Sequence, residues 1–232
     1  IIRDVVCFDD ELWVGTQSGV YVINELKNKI SHIYNDPMCS YSLSDNQIGR
    51  IYRDRENGIW IGTNLGGVNY RPQKGIEFIR HIPLSRPYTI SSKRVRELVE
   101  DEEGNIWVGT EDAGINIYDP HTGAFKKIGR DVGPKSVCEK SLALLADKNY
   151  IWAGSFKNGL DIIDRRNFSV RHYSGEQLGL NESSIYALCE DRKGKIWIGN
   201  AWGVYVGDKK TMTFTRLPQF GLSYIFDIIE DS

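Results

Sequence analysis

Ile106-Trp107-Val108-Gly109-Thr110 decides how this chain is read, because nearly the same phrase is written five times. The other copies are Leu12-Trp13-Val14-Gly15-Thr16, Ile59-Trp60-Ile61-Gly62-Thr63, Ile151-Trp152-Ala153-Gly154-Ser155 and Ile196-Trp197-Ile198-Gly199-Asn200. Their tryptophans stand 47, 47, 45 and 45 residues apart. Self-similarity at that period means an array whose units bury their apolar faces against one another.

Outward from each phrase the units read as four short strands. In the third they are Val95 to Asp101, Asn105 to Gly109, Ile115 to Tyr118 and Phe125 to Ile128. In the fifth they are Ile185 to Asp191, Lys195 to Gly199, Val204 to Val206 and Met212 to Leu217. Alternating, β-branched and aromatic residues between polar or glycine punctuation support strands throughout, with no amphipathic helix among them. The first turn has its own chemistry, as in Asp54 to Gly58, Asp101 to Gly104 and Asp191 to Gly194. Asp accepts backbone N–H bonds, and Gly supplies a positive φ. The glycine after each tryptophan reads as room for close approach between sheets.

A four-stranded unit of roughly 40–50 residues is a β-propeller blade. The expected architecture is all-β: an incomplete arc of about five blades plus one strand. Blades are expected over about 1–40, 41–87, 88–134, 135–178 and 179–221, and the first strand of a sixth over 222–232. The chain opens on Ile1 inside a strand, without an initiating Met, and so reads as a piece of something longer.

Composition narrows the function. A net charge of −2 with both signs scattered gives nucleic acid no basic stripe to grip. No apolar run approaches the roughly 18 residues of a membrane span. Cys7, Cys39, Cys138 and Cys189 have no metal-ligand spacing and no CxxC, and a disulfide among them stays open. The histidines His32, His81, His121 and His172 fall on separate units and do not converge as ligands. Neither a metal nor a cofactor is expected.

The phrase Asp101-Glu-Glu-Gly-Asn-Ile-Trp-Val-Gly-Thr110, followed by Gly114-Ile-Asn-Ile-Tyr-Asp119, resembles the two-component regulator propeller repeat. The connector Asn35 to Asn46 also resembles that family's connector, and the likeness runs over essentially the whole chain. Blades one, four and five depart from the pattern after their glycine. The resemblance implies the periplasmic sensor half of a hybrid histidine kinase, anchored in the inner membrane and sensing glycan fragments. It also implies further blades and downstream domains of the same protein as partners.

Candidate contacts lie where the repeats differ, on the loops between second and third strands. These carry Asn64, Glu111, Asp112, Phe156, Lys157 and Trp202. Trp202 is the one tryptophan outside the repeat register. Its ring, like that of Phe156, can stack on a sugar or can pack on a neighbouring blade. The first strands supply Arg50, Arg96, Glu97 and Tyr186 near their entries. Arg50 and Arg96 can hold carboxylate or sulfate groups, or can pair with Glu97, Asp4 or Asp227 as an internal network.

Three functions remain open. The first is a non-enzymatic ligand-sensing fragment that recognises an oligosaccharide. The second is a protein-interaction scaffold, a second copy of the chain being one partner. The third is a propeller lyase or glycosidase, which needs two carboxylates flanking one bond. The turns are similar to the sialidase Asp-box, but the Asp191-to-Trp197 spacing is one residue too long and the preceding Ser is missing.

Overall fold

A computed structural model describes residues 1–74, 78–84, 87–129, 133 and 138–230. The strands form five antiparallel sheets of four, each in sequential order. Blade 1 is β1 (Ile2–Phe8), β2 (Glu11–Thr16), β3 (Gly19–Asn24) and β4 (Lys29–Ile33). Blade 2 is β5 (Ile48–Arg53), β6 (Ile59–Thr63), β7 (Val68–Arg71) and β8 (Ile79–His81). Blade 3 is β9 (Val95–Glu100), β10 (Ile106–Thr110), β11 (Ile115–Asp119) and β12 (Ala124–Lys127). Blade 4 is β13 (Ser141–Ala146), β14 (Tyr150–Ser155), β15 (Leu160–Asp164) and β16 (Val170–Tyr173). Blade 5 is β17 (Ala187–Glu190), β18 (Lys195–Asn200), β19 (Gly203–Asp208) and β20 (Thr213–Arg216). A single 3-10 turn, Pro218–Phe220, is the helical element among the described residues. No described helix is long and apolar enough to cross a membrane.

The chain divides into two compact units, Ile1–Lys127 and Ile128–Ser232. In the first, the tryptophans of blades 1 and 2 are each buried under the blade that follows. Trp13 packs with Ile48, Ile51 and Ile61 of blade 2, and Trp60 with Val95, Leu98 and Val108 of blade 3. In the second unit Trp152 packs with Ile185, Ile196 and Tyr205 of blade 5. Burial is nearly complete, with Trp13 and Trp107 each 1% exposed. Trp197, in the last complete sheet, is only half-buried.

The glycine that follows each tryptophan has a steric reason to be there. A Cβ on Gly62 would lie 2.5 Å from Val95 Cγ1, and one on Gly154 2.5 Å from Ile185 Cγ2. The β-branched residue entering the following blade thus seats in the hollow that the glycine leaves. Residues 222–230 repeat this contact without pairing as a strand. Ile225 donates its N–H to Asn200 O (3.1 Å), and its Cγ2 would meet a Cβ on Gly199 at 2.6 Å.

The turn aspartates do more than turn the chain. Asp101 Oδ1 accepts the N–H of Glu103 (3.0 Å) and Asn105 (2.9 Å), and Oδ2 accepts Trp107 Nε1–H at 2.8 Å. Asp54, Asp147 and Asp191 hold Trp60, Trp152 and Trp197 in the same way, at 2.7–2.9 Å. Glu11 does so for Trp13 at 3.1 Å. The asparagine of the third-strand motif is a clamp as well. Buried Asn69 and Asn116 accept the N–H of Ser44 (2.9 Å) and Ser91 (3.0 Å) from the connector entering their blade.

Candidate functional site

A shared irregularity decides where the first-strand candidates point. Each of β1, β5, β9 and β13 carries a β-bulge that leaves one residue out of the ladder: Arg3, Gly49, Arg96 and Leu142. The next residues, Asp4, Arg50, Glu97 and Ala143, face the phrase glycines Gly15, Gly62, Gly109 and Gly154. A bulge re-aims the side chain at the extra position. Neighbouring residues therefore serve different neighbourhoods.

Asp4, Arg50 and Glu97 stand at equivalent positions on three successive blades and form an ion network. Arg50 Nε lies 2.8 Å from Glu97 Oε1, and its Nη1 lies 3.6 Å from Asp4 Oδ1. Asp4 is buried and accepts Ile51 N–H at 2.6 Å, tying β1 to β5. Of the two readings open for Arg50, the internal network is the one the geometry builds. Arg96, on the bulge, turns instead to the rim and binds Glu111 Oε2 through Nε (3.1 Å) and Nη2 (2.5 Å). Its partner is thus a β10–β11 loop residue rather than Glu97, Asp4 or Asp227.

The loops after β2, β6, β10 and β14 are tied at their base by the last residue of each phrase. Thr63 Oγ1 donates to Gly67 O (2.9 Å) and accepts Gly66 N–H (3.0 Å), while Thr110 does the same with Gly114 O and Ala113 N–H. Thr16 and Ser155 repeat the first bond, to Gly19 O and Gly159 O. The signal for these hydroxyls is plain in the sequence, since they close every copy of the phrase but one. On the loops, Asn64 Nδ2 donates to Gln47 Oε1 at 3.1 Å, and Asp112 accepts a short bond from Ser92 Oγ. Lys157 holds φ +60°, and its N–H bonds Ser184 Oγ at 3.1 Å. Two ammonium groups approach the Phe156 ring, Lys140 at 5.3 Å and Lys157 at 5.1 Å from its centroid.

Blade 5 differs. Asn200 replaces the hydroxyl, and its Oδ1 accepts Trp202 N–H at 2.8 Å. Arg216 then bridges two carbonyls, donating to Trp202 O (2.7 Å) and Gly221 O (2.6 Å). This fixes the β18–β19 loop against residues 218–222. Trp202 is 44% exposed, so packing on a neighbour accounts for only part of its surface. Tyr186, just before β17, lies 5.8 Å from Tyr224 and 5.9 Å from Phe226, which stack with each other at 6.0 Å and 16°. Tyr224 and Phe226 are 61% and 64% exposed. Burial beside Glu182 raises the Tyr186 pKa, so the phenol keeps its proton through the neutral range. Tyr224 and Phe226 escape a reading by strand pattern, because in the sixth unit their rings simply look like strand formers.

Among the described residues no group of three His, Cys, Asp or Glu could hold a metal ion. The four cysteines are unpaired, and Cys7 and Cys39 are exposed.

Comparison with known proteins agrees with this architecture. The sequence model described as two component regulator propeller matches residues 42–65, 89–112 and 179–202. Each match runs from a connector, through the phrase, to the following loop of blades 2, 3 and 5. No curated protein matches the chain. Among solved structures, the extracellular domain of the putative hybrid two component system BT3049 from B. thetaiotaomicron superposes with a TM-score of 0.81 at 22% identity. It covers 92% of this chain, which spans only 29% of that one. The corresponding domain of BT4673 from the same organism gives 0.58 at 20% identity, over 96% of this chain and 38% of that one. PorZ, a surface component of the type-IX secretion system of Porphyromonas gingivalis, gives 0.68 at 16%, over 99% and 37%. The fold is that of a β-propeller, and three of its blades match the two component regulator propeller model.

Proposed function

We propose that the chain is a non-enzymatic, ligand-sensing part of the extracellular domain of a two-component regulator, and that its ligand is an oligosaccharide. The observation that carries this reading is the aromatic rim of the second unit. Trp202 presents an exposed ring on backbone held by Asn200 and Arg216, and half-buried Tyr186 lies against Tyr224 and Phe226. Flat rings with a polar edge suit pyranose faces, which offer C–H bonds to the ring and hydroxyls to its rim. Binding there would bias one arrangement of the larger protein over another, and parts on the far side of the membrane would read that bias. Periplasmic placement and a histidine kinase in the whole protein belong to the same proposal.

Calorimetric titration of the purified chain against a panel of neutral oligosaccharides tests it. Trp202→Ala is expected to weaken the bound sugar by about tenfold or more, a loss of roughly 1.4 kcal/mol, with an unchanged melting temperature. Unaltered affinity in that variant would remove the rim from the site.

A further inference from the structure

The four hairpin turns at one end of blades 4 and 5 share a composition that a blade does not require. Each opens on an aspartate followed by basic residues. They read Asp147-Lys148 and Asp164-Arg165-Arg166 in blade 4, then Asp191-Arg192-Lys193 and Asp208-Lys209-Lys210 in blade 5. The aspartates are occupied by the turns themselves. Asp147 Oδ1 accepts the N–H of Asn149 and Tyr150, both at 2.9 Å. Asp164, Asp191 and Asp208 accept that of Arg166, Lys193 and Lys210 at 2.8–2.9 Å. Turn chemistry needs the aspartate and leaves the next residues open. The corresponding turns of the first unit fill them mostly with acids, as in Asp9-Asp10, Asp54-Arg55-Glu56 and Asp101-Glu102-Glu103.

Side chains join the four basic turns into one surface. Arg165 donates its N–H to Asn149 O (3.0 Å) and its Nη1–H to Asp147 O (3.2 Å), which ties the two turns of blade 4 together. Lys209 reaches across from blade 5, with Nζ 3.0 Å from Asp147 Oδ2 and 2.6 Å from Glu190 Oε2. Lys195 Nζ lies 3.2 Å from Asp208 Oδ2 and links the start of β18 to the β19–β20 turn. Arg192 faces Glu230 at 3.7 Å. Lys148, Arg166, Lys193 and Lys210 are exposed and have no carboxylate partner among the described residues. The large apolar side chains of these turns, Phe168 and Met212, are half-buried.

We infer that this turn end of blades 4 and 5 docks on an anionic lipid bilayer, with Lys148, Arg166, Lys193 and Lys210 meeting the phosphate headgroups. Seven Lys or Arg stand on the four turns, within the roughly four to eight that make a lipid-binding cluster. Protein interfaces are built on desolvated aromatic and aliphatic anchors and are poor in lysine. A bilayer asks only for cations within a Debye length of its surface, about 10 Å at moderate salt. Exposed cations without an exposed apolar anchor fit the second description. The assignment is independent of the aromatic rim, because the β18–β19 loop that carries Trp202 lies at the other end of its sheet.

The test is co-sedimentation of the whole chain with vesicles of phosphatidylglycerol and phosphatidylcholine in equal parts, or of phosphatidylcholine alone. The chain is expected to bind the anionic vesicles only, and less as salt rises. Lys148→Gln/Arg166→Gln/Lys193→Gln/Lys210→Gln should bind at least about a hundredfold more weakly, roughly fivefold for each charge removed. Lys27→Gln/Lys29→Gln/Lys74→Gln/Lys93→Gln removes as much charge from exposed positions of the first unit and should keep most of the binding. All eight positions are exposed, so both variants should melt like the parent chain. Trp202→Ala should leave vesicle binding unchanged. Equal losses in the two quadruple variants would overturn the inference, since net charge alone would then be at work. So would displacement by inorganic phosphate, which would mark a site for a single anion. Salt-sensitive self-association of the chain in place of vesicle binding would overturn it too, by making a second copy the partner.

Discussion

Single residues carry this fold through hydrogen bonds as much as through apolar area. Asp101 is 2% exposed and satisfies two backbone donors and one buried indole at once. Asp101→Ala would strand those donors, and an unsatisfied buried donor costs about 1–3 kcal/mol. The urea midpoint should fall accordingly at constant slope, and Asp101→Asn should recover part of the loss. His81 makes the opposite case. Its ring lies among Trp60, Tyr118 and Phe125, and desolvation pushes its pKa from 6.5 down to about 4. Between those values the unfolded chain takes up a proton that the folded chain refuses. Stability is therefore complete above about pH 6.5 and falls as pH drops toward about 4, by up to about 3 kcal/mol. Denaturation midpoints measured across that window should flatten in His81→Phe. An unchanged slope would show that the imidazole is solvated.

At the scale of strands, the phrase Trp-x-Gly is an interlocking device. The tryptophan fills the space under the next blade, and two residues on the glycine clears a seat for that blade's entering residue. Gly62 and Val95 form such a pair, since a Cβ on the glycine would come within 2.5 Å of Val95 Cγ1. Gly62→Ala should destabilise by about 1–3 kcal/mol through overpacking. Val95→Ala removes the obstructing methyl groups, so the double variant should lose less than the sum of the two singles. Strict additivity in thermal unfolding would place the strain elsewhere. In residues 222–230, Ile225 occupies the same kind of seat on Gly199, and Trp197 is half-buried.

For the molecule as a whole, the period of the tryptophans and the chemistry of the turns made the blade readable. Which loops vary while their flanks repeat was legible as well. Pairing was not. Arg50 and Arg96 sit one register position apart on successive first strands, so Arg50, just past its bulge, meets Asp4 and Glu97, while Arg96, on its bulge, turns to Glu111. Side-chain direction at a bulge depends on register, which single-sequence periodicity does not encode. Between blades 4 and 5 a groove opens beside Trp152, and it has a sequence signal, since Gly207 stands where the second and third blades carry Arg71 and Tyr118. Nearest-neighbour dependence leads to a last expectation. A blade in such an array is stabilised mainly by its contact with the next, so damage should spread to that neighbour. Trp152 belongs to blade 4 but packs with Ile185, Ile196 and Tyr205 of blade 5. Trp152→Ala should cost about 3–5 kcal/mol, and amide exchange should quicken in β17, β18 and β19 as much as in β14 itself. Exchange confined to β14 would mean that each blade stands by itself, and the repeat would then be a pattern of sequence without a shared core.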